Sequence, residues 1–268
     1  MIDVVLVKLG GSLITEKRRR EAARPEVIAR LAAEIARTAP GLGERREQII
    51  LGHGSGSFGH VAASEHRLAE GLSSAAQLPG VAHTQERAAA LHSEIIRALI
   101  QAGAAPFSIA PSSCVVMAGG RVAEVALEPL RLALERGLLP VVYGDVVMDR
   151  ERGVAICSTE RMLEALAERL PAIGMRVTRA LWLGETDGVW DAEGKTIPRI
   201  SVSDLEAPAL GGIGAAEGTD VTGGMLHRVE TALALARLGV PSRIVNGLTP
   251  GALERALLGE AVPGTEVA

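Results

Sequence analysis

Aromatic residues are nearly absent from the 268-residue chain: Phe58, Phe107, Tyr143, Trp182 and Trp190 are all it has. A stacking platform for single-stranded nucleic acid draws on several such rings, so that class of function has little footing here. Positive charge is not in excess either. The formal net charge is −4, which offers a polyanion no general attraction, and no nucleic-acid partner is expected. No apolar run approaches the ~20 residues that span a bilayer, so no membrane partner is expected. The opening Met1-Ile-Asp-Val-Val-Leu-Val-Lys8 carries no basic leader and no small-residue cleavage site, and a cytoplasmic chain is the expectation. Cysteine is limited to Cys114 and Cys157, which are expected to be buried as small hydrophobes. The histidines form no H-E-x-x-H or Cys/His pattern, so no protein-held metal is expected.

Lysine is the other scarcity. It occurs only at Lys8, Lys17 and Lys195, so 25 of the 28 basic residues are Arg. Two of the three lysines flank a Gly-Gly-Ser turn. A lysine ammonium is a compact point charge that suits a phosphate oxygen in a tight space. A genome rich in Arg, Ala and Gly explains the bias without any chemistry.

What the chain does have is alternation. Short β-branched runs at 2–9, Ile49–Leu51, Phe107–Ala110, Leu138–Tyr143, Ala180–Leu183 and Arg243–Val245 read as strands. Helical spacing recurs at 25–39, 80–102, Leu127–Arg136, 159–170, Thr222–Leu238 and Pro250–Leu257. Val115 to Val125 reads as a hairpin about Gly119-Gly120, and Ser158 as the cap of the helix after it. Strand–helix alternation predicts an α/β fold: a three-layer α/β/α sandwich with a mainly parallel central sheet. No linker divides the chain, so residues 1–268 are read as one domain. Its N-terminal half, to about 150, would face the phosphate acceptor, and its C-terminal half the nucleotide. Ligands of such sheets bind beyond the carboxyl ends of the strands, where the Gly-rich loops fall.

Five loops carry the chemistry. Lys8-Leu-Gly10-Gly11-Ser12 follows the first strand, and its glycines let successive amides form an anion nest. An ordinary turn reads the same way, and Lys17 would serve equally as a solvated side chain. Gly52-His-Gly54-Ser55-Gly56-Ser-Phe-Gly59-His60 follows the second strand. Its Gly54-x-Gly56-x-x-Gly59 matches the dinucleotide fingerprint in form, but residues 68–82 offer no second strand ending in an acid, and that reading fails. No P-loop occurs. His60 is placed either to meet a phosphate oxygen, carrying charge near neutral pH, or to pack against the next helix. Gly144-Asp145, Thr186-Asp187-Gly188-Val189 and Gly218-Thr-Asp-Val-Thr-Gly223-Gly224-Met225 complete the set. The last opens a helix, a natural phosphate site.

Together these segments resemble the amino-acid kinase superfamily over nearly the whole chain. The run His53-Gly-Ser-Gly-Ser-Phe-Gly-His60, with Ile14-Thr-Glu-Lys17 and Tyr143-Gly-Asp-Val-Val147, is similar within it to the isopentenyl phosphate kinase family. Fosfomycin kinase is similar around the histidine. The resemblance implies ATP-dependent phosphorylation of isopentenyl phosphate, with Mg²⁺, and a homodimer is expected. Carried over by position, Lys8 and Lys17 would meet the transferred phosphoryl group, with His60 completing the catalytic set. Gly10, Gly11, Ser12, Gly56, Asp187, Gly223 and Arg228 would border ATP. Gly54, Ser55, Gly56, Gly59, His60, Gly144 and Asp145 would hold the substrate. Arg228 departs from the pattern, since the family usually has lysine there. Another small-molecule kinase, fosfomycin kinase foremost, and a non-catalytic anion-binding module are the alternatives; Lys8, Lys17 and His60 speak against the module.

Overall fold

Val4 to Val7 is a β-branched and aliphatic run with no exposed surface, which suits a strand covered on both faces. It lies in β1 (Ile2–Leu9), an inner strand of the sheet. The computed structural model describes residues 2–16, 19–202 and 223–268. After β1 come α1 (Gly11–Ile14), α2 (Pro25–Glu44), β2 (Glu47–His53), α3 (Gly56–Glu65), α4 (Leu78–Gln101), β3 (Pro106–Ser108) and α5 (Pro111–Cys114). The hairpin β4 (Val115–Ala118) and β5 (Arg121–Val125) follows, then α6 (Glu128–Glu135), β6 (Leu139–Tyr143), β7 (Asp145–Asp149) and β8 (Gly153–Cys157). The remainder is α7 (Thr159–Arg169), β9 (Met175–Gly184), β10 (Arg199–Ile200), α8 (Gly223–Arg237), β11 (Ser242–Asn246), α9 (Ala252–Leu258) and β12 (Thr265–Val267).

Eight strands form the main sheet in the order β10-β12-β11-β9-β1-β2-β6-β3. Every neighbouring pair runs parallel except β11 with β12. The mainly parallel α/β/α sandwich expected from the alternation is therefore present. Val5, Val7 and Leu9 join the core under α2, α4 and α9, while Val4 and Leu6 join the core under α7 and α8. By the same period of two, Lys8 belongs to the α7 and α8 face. Among the described residues no helix is long and apolar enough to cross a membrane.

Three features differ from the sequence expectation. β9 begins five residues earlier than the run at Ala180, and its extra length pairs with the start of β1. A separate four-stranded sheet, β5-β4-β7-β8, packs on the α7 face; the sequence reading assigns no strand at β7, whose short apolar stretch is bounded by Asp145 and Asp149, and none at the five-residue run of β8. Asp149 instead holds the tip of the β4–β5 hairpin, accepting from the amides of Gly119 at 3.1 Å and Gly120 at 2.7 Å. The glycine-rich run is not only loop, since α3 starts at Gly56 inside it.

The carboxyl ends of β1, β2, β6 and β9 share one edge of the sheet, where Gly10, Gly54, Gly144 and Glu185 follow them. α7 is drawn close to this edge by Gly52, whose missing Cβ would stand 2.6 Å from Thr159 Cγ2 and 3.2 Å from Leu163. Gly52→Ala must push α7 outward, at a cost of about 1–3 kcal/mol. A lowered thermal midpoint with the secondary structure retained is the expected result, and an unchanged midpoint would show that α7 tolerates the shift.

Candidate active site

The first two glycine loops are built into each other. Gly54 N–H donates to Leu9 O at 3.0 Å and Gly10 N–H to Leu183 O at 2.8 Å. A Cβ on Gly11 would lie 2.8 Å from Gly56 N, and one on Gly54 would lie 2.9 Å from Gly11 N, so only glycine lets these backbones approach. Gly56 has φ +50°, and a side chain there would collide with the Thr15 hydroxyl. That hydroxyl ties the two loops, donating to Gly11 O at 2.8 Å and accepting from Ser57 N–H at 3.0 Å. Gly59 leaves room for the Ser55 side chain, whose Oγ would be 2.7 Å from a Cβ at that position.

Beside these loops lies a buried cluster of charge. Lys8 Nζ contacts Glu160 Oε1 at 2.5 Å, and only 5% of Lys8 is exposed. Glu160 comes from the first turn of α7, after Ser158, whose Oγ caps the helix by accepting from Arg161 N–H at 3.3 Å. Arg228 reaches in from the second turn of α8. Cβ atoms on Gly184 and Gly10 would meet its guanidinium at 2.5 and 3.3 Å. Its Nε is buried and finds no hydrogen-bond partner among the described residues. Burial pushes the Lys8 ammonium below its ordinary value, which the Glu160 charge opposes and Arg228 reinforces. Burial works against the Glu160 carboxylate too, yet Lys8 and then Arg228 hold it below the usual range.

His60 stands on the second turn of α3 and is exposed. Loss of solvation lowers its pKa, Glu160 pulls it up and Lys8 pushes it down. The imidazole is therefore neutral near pH 7, where the phosphate reading of the sequence has it carrying charge. Glu160 appears among the charge partners of Lys8, Arg228 and His60 alike, so groups from β1, α8 and α3 share the field of one carboxylate, which Lys8 touches directly. Glu185 also faces Arg228, and it is paired with Arg24 at 2.9 Å.

The remaining expected residues divide. Gly144 sits beside the second loop, its N–H donating to His53 O at 3.1 Å. Asp145 is buried and takes Ser112 N–H at 3.2 Å; burial raises its pKa, and its visible role is to hold α5. Asp187 accepts from Trp190 Nε1 at 2.9 Å, the bond that chiefly lowers its pKa, and so braces the turn after β9. Ser12 lies in α1 and Gly223 opens α8. Lys17 and the run 218–222 lie outside the described residues. Cys157 is buried in the core and Cys114 half-buried, and burial raises the thiols to about 12 and about 11. Ligand atoms of Glu65, His66 and His83 come within 4.8 Å of one another, a cluster that spacing did not reveal, but Glu65 is already held by Arg20 at 2.7 Å.

Glu160 is the functional candidate that sequence reasoning missed. Its one signal is its place two residues after the capping Ser158, which puts it in a first helical turn.

Interlocked glycine loops at the carboxyl edge of a parallel sheet, with buried cations beside them, define an anion site of the kinase type. The chain belongs to the amino acid kinase family, whose sequence model matches residues 3–246. Within that family it is a member of the isopentenyl phosphate kinases. The isopentenyl phosphate kinase of Methanothermobacter thermautotrophicus is 34% identical, over 98% of this chain and 98% of its own. That of Haloferax volcanii is also 34% identical, over 99% of each chain. A solved structure described as isopentenyl phosphate kinase matches with a TM-score of 0.81 at 30% identity, covering 98% of this chain and 99% of its own.

Glu160→Gln removes the anion that acts on Lys8, Arg228 and His60 alike. Lys8 then loses the charge that opposes its desolvation, so its pKa falls further and it loses its proton at lower pH. Stability should drop by roughly 3–5 kcal/mol, as when a buried pair loses one partner. Any alkaline limb of activity that follows Lys8 should also move to lower pH. An unaltered melting temperature together with an unaltered pH profile would mean that the pair contributes nothing.

Proposed function

We propose that the protein transfers the terminal phosphoryl group of ATP to the phosphate of isopentenyl phosphate, giving isopentenyl diphosphate and ADP. The observation that carries this reading is the convergence of Lys8, Arg228 and His60 on Glu160, beside two glycine loops whose backbones touch. Phosphoryl transfer asks for in-line positioning and charge neutralisation rather than covalent chemistry from the protein. The attacking atom is a phosphate oxygen that is already ionised, so no general base is needed. This agrees with an acceptor loop that contains no Asp or Glu between Gly52 and His60.

Lys8 and Lys17 would face the moving phosphoryl group. The guanidinium of Arg228, with its Nη atoms against Gly10 and Gly184 and its Nε without a partner among the described residues, fits a nucleotide phosphate. Gly10, Gly11 and Ser12 would lie along the ATP phosphates. His60 would hold the acceptor phosphate above Gly54, Ser55 and Gly56, and would gain its proton as that anion arrives. Magnesium fits less directly. The carboxylates brought against Lys8 and Arg228 are Glu160 and Glu185, and both are paired with cations. The ion would ride mainly on phosphate oxygens, neutralising their charge.

The test is a panel of acceptors supplied with ATP. Isopentenyl phosphate should be the preferred acceptor, and turnover of fosfomycin without it would overturn the choice of substrate. Because His60 is exposed, replacing it leaves the core alone. His60→Ala should lose most acceptor turnover with an unchanged melting temperature, and His60→Gln should keep part. Wild-type turnover in His60→Ala would return the imidazole to a packing role. Arg228→Met should raise the KM for ATP more than that for the acceptor, and equal KM values would remove Arg228 from the nucleotide phosphates.

A further inference from the structure

Two buried imidazoles lie directly behind the acceptor loop and take no part in the chemistry above. His53 ends β2 with no exposed surface, and His92 of α4 is 5% exposed. His53 Nδ1 lies 3.1 Å from Gly54 O, His53 Nε2 lies 2.9 Å from His92 Nδ1, and His92 Nε2 lies 2.7 Å from Ser108 Oγ. Tyr143 stacks on both rings, with centroids 5.6 and 4.3 Å away. The outer end, Ser108, is exposed at the close of β3.

For neutral rings the protons in this chain have one consistent order. A carbonyl can only accept, so His53 Nδ1 carries the hydrogen and donates to Gly54 O. His53 Nε2 is then bare and must accept, which places a hydrogen on His92 Nδ1. His92 Nε2 is bare in turn, and the Ser108 hydroxyl donates to it. Both rings are thus fixed as the Nδ1–H tautomer. Burial keeps them neutral, lowering His53 to about 3 and His92 to about 4.

The inner end of the chain acts on one peptide. The C=O and N–H of a trans peptide point in opposite directions. Drawing Gly54 O back towards His53 turns the Ser55 N–H the other way, and that N–H makes no hydrogen bond among the described residues. The backbone of His53 is held as well, its carbonyl accepting from Thr159 Oγ1 at 2.6 Å and from Gly144 N–H at 3.1 Å.

We propose that His53, His92 and Ser108 form a positioning relay that fixes the Gly54–Ser55 peptide so that the Ser55 N–H is presented to the acceptor phosphate. The choice of ligand rests on the function proposed above, whereas the relay itself does not. Its first test needs no turnover. Nitrogen NMR of the ¹⁵N-histidine-labelled protein should show both rings as the Nδ1–H tautomer at neutral pH. An Nε2–H tautomer at His53 would overturn the relay whichever acceptor the protein uses.

The second test separates positioning from packing. His92→Phe keeps a ring against Tyr143 but removes both nitrogens. His92→Asn keeps a donor near the position of Nδ1. His92→Phe should raise the KM for isopentenyl phosphate about five- to tenfold, the worth of one hydrogen bond, with the KM for ATP within about twofold. His92→Asn should recover part of the loss. A matched rise in both KM values, or no recovery with Asn, would reduce the relay to a packing role. If the tautomers are as stated but isopentenyl phosphate is not phosphorylated, the substrate assignment fails and the relay stands.

Discussion

The site depends on a single buried ion pair, Lys8 with Glu160. Both partners are out of water, where an unpaired charge costs several kcal/mol, and each holds the other ionised. Lys8 is there because an inner strand ends at Leu9 and its side chains alternate between faces. Glu160 is there because a capped helix begins two residues before it and Gly52 lets that helix approach the sheet. Moving either element would leave a lone charge in the core. The pair therefore fixes the edge of the sheet to α7, and the two glycine loops inherit that position.

Glycine performs the second part of the assembly by absence. At Gly11, Gly54 and Gly56 a side chain would strike the opposing loop, so the loops behave as one surface of backbone. Such a surface presents N–H groups without flexible side chains, and it loses little entropy when an anion settles on it. Thr15 and the His53 carbonyl then connect that surface to α1, α7 and the turn after β6.

Much of this was legible in the sequence, for a local reason. A lysine at the end of an apolar run, followed by Gly-Gly-Ser, carries its meaning within five residues, and so does Gly-Ser-Phe-Gly-His60. Strand–helix alternation announced the parallel sheet because buried parallel strands read as unbroken apolar runs. What stayed hidden depends on distant partners. Glu160 is one of 25 Glu, and only its 152-residue separation from Lys8, closed by folding, gives it a role. His53 and His92 lie 39 residues apart on different elements, with no spacing rule to join them. Strand β7 was masked by Asp145 and Asp149, whose carboxylates are consumed by backbone amides. Asp145 and Asp187 show the same dependence on partners, since an acid at the end of a strand suggests a ligand, and only the fold reveals the Ser112 amide and the Trp190 indole that each already holds.

The arrangement of charge also explains why the third basic group is a histidine. Lys8 and Arg228 already share the field of one carboxylate, and the charge of Arg228 makes Lys8 harder to keep ionised. A permanent third cation at position 60 would add to that repulsion in the empty site. An imidazole lowered by desolvation and by Lys8 is neutral near pH 7, and under the proposed function it would take up a proton as the acceptor anion arrives, helped by Glu160. The charge of the site would then rise with the phosphate that the proposal places there. A carboxylate acceptor, with one negative charge, would draw that proton less strongly than a phosphate dianion, so on the proposed function protonation at His60 would contribute to selectivity between them.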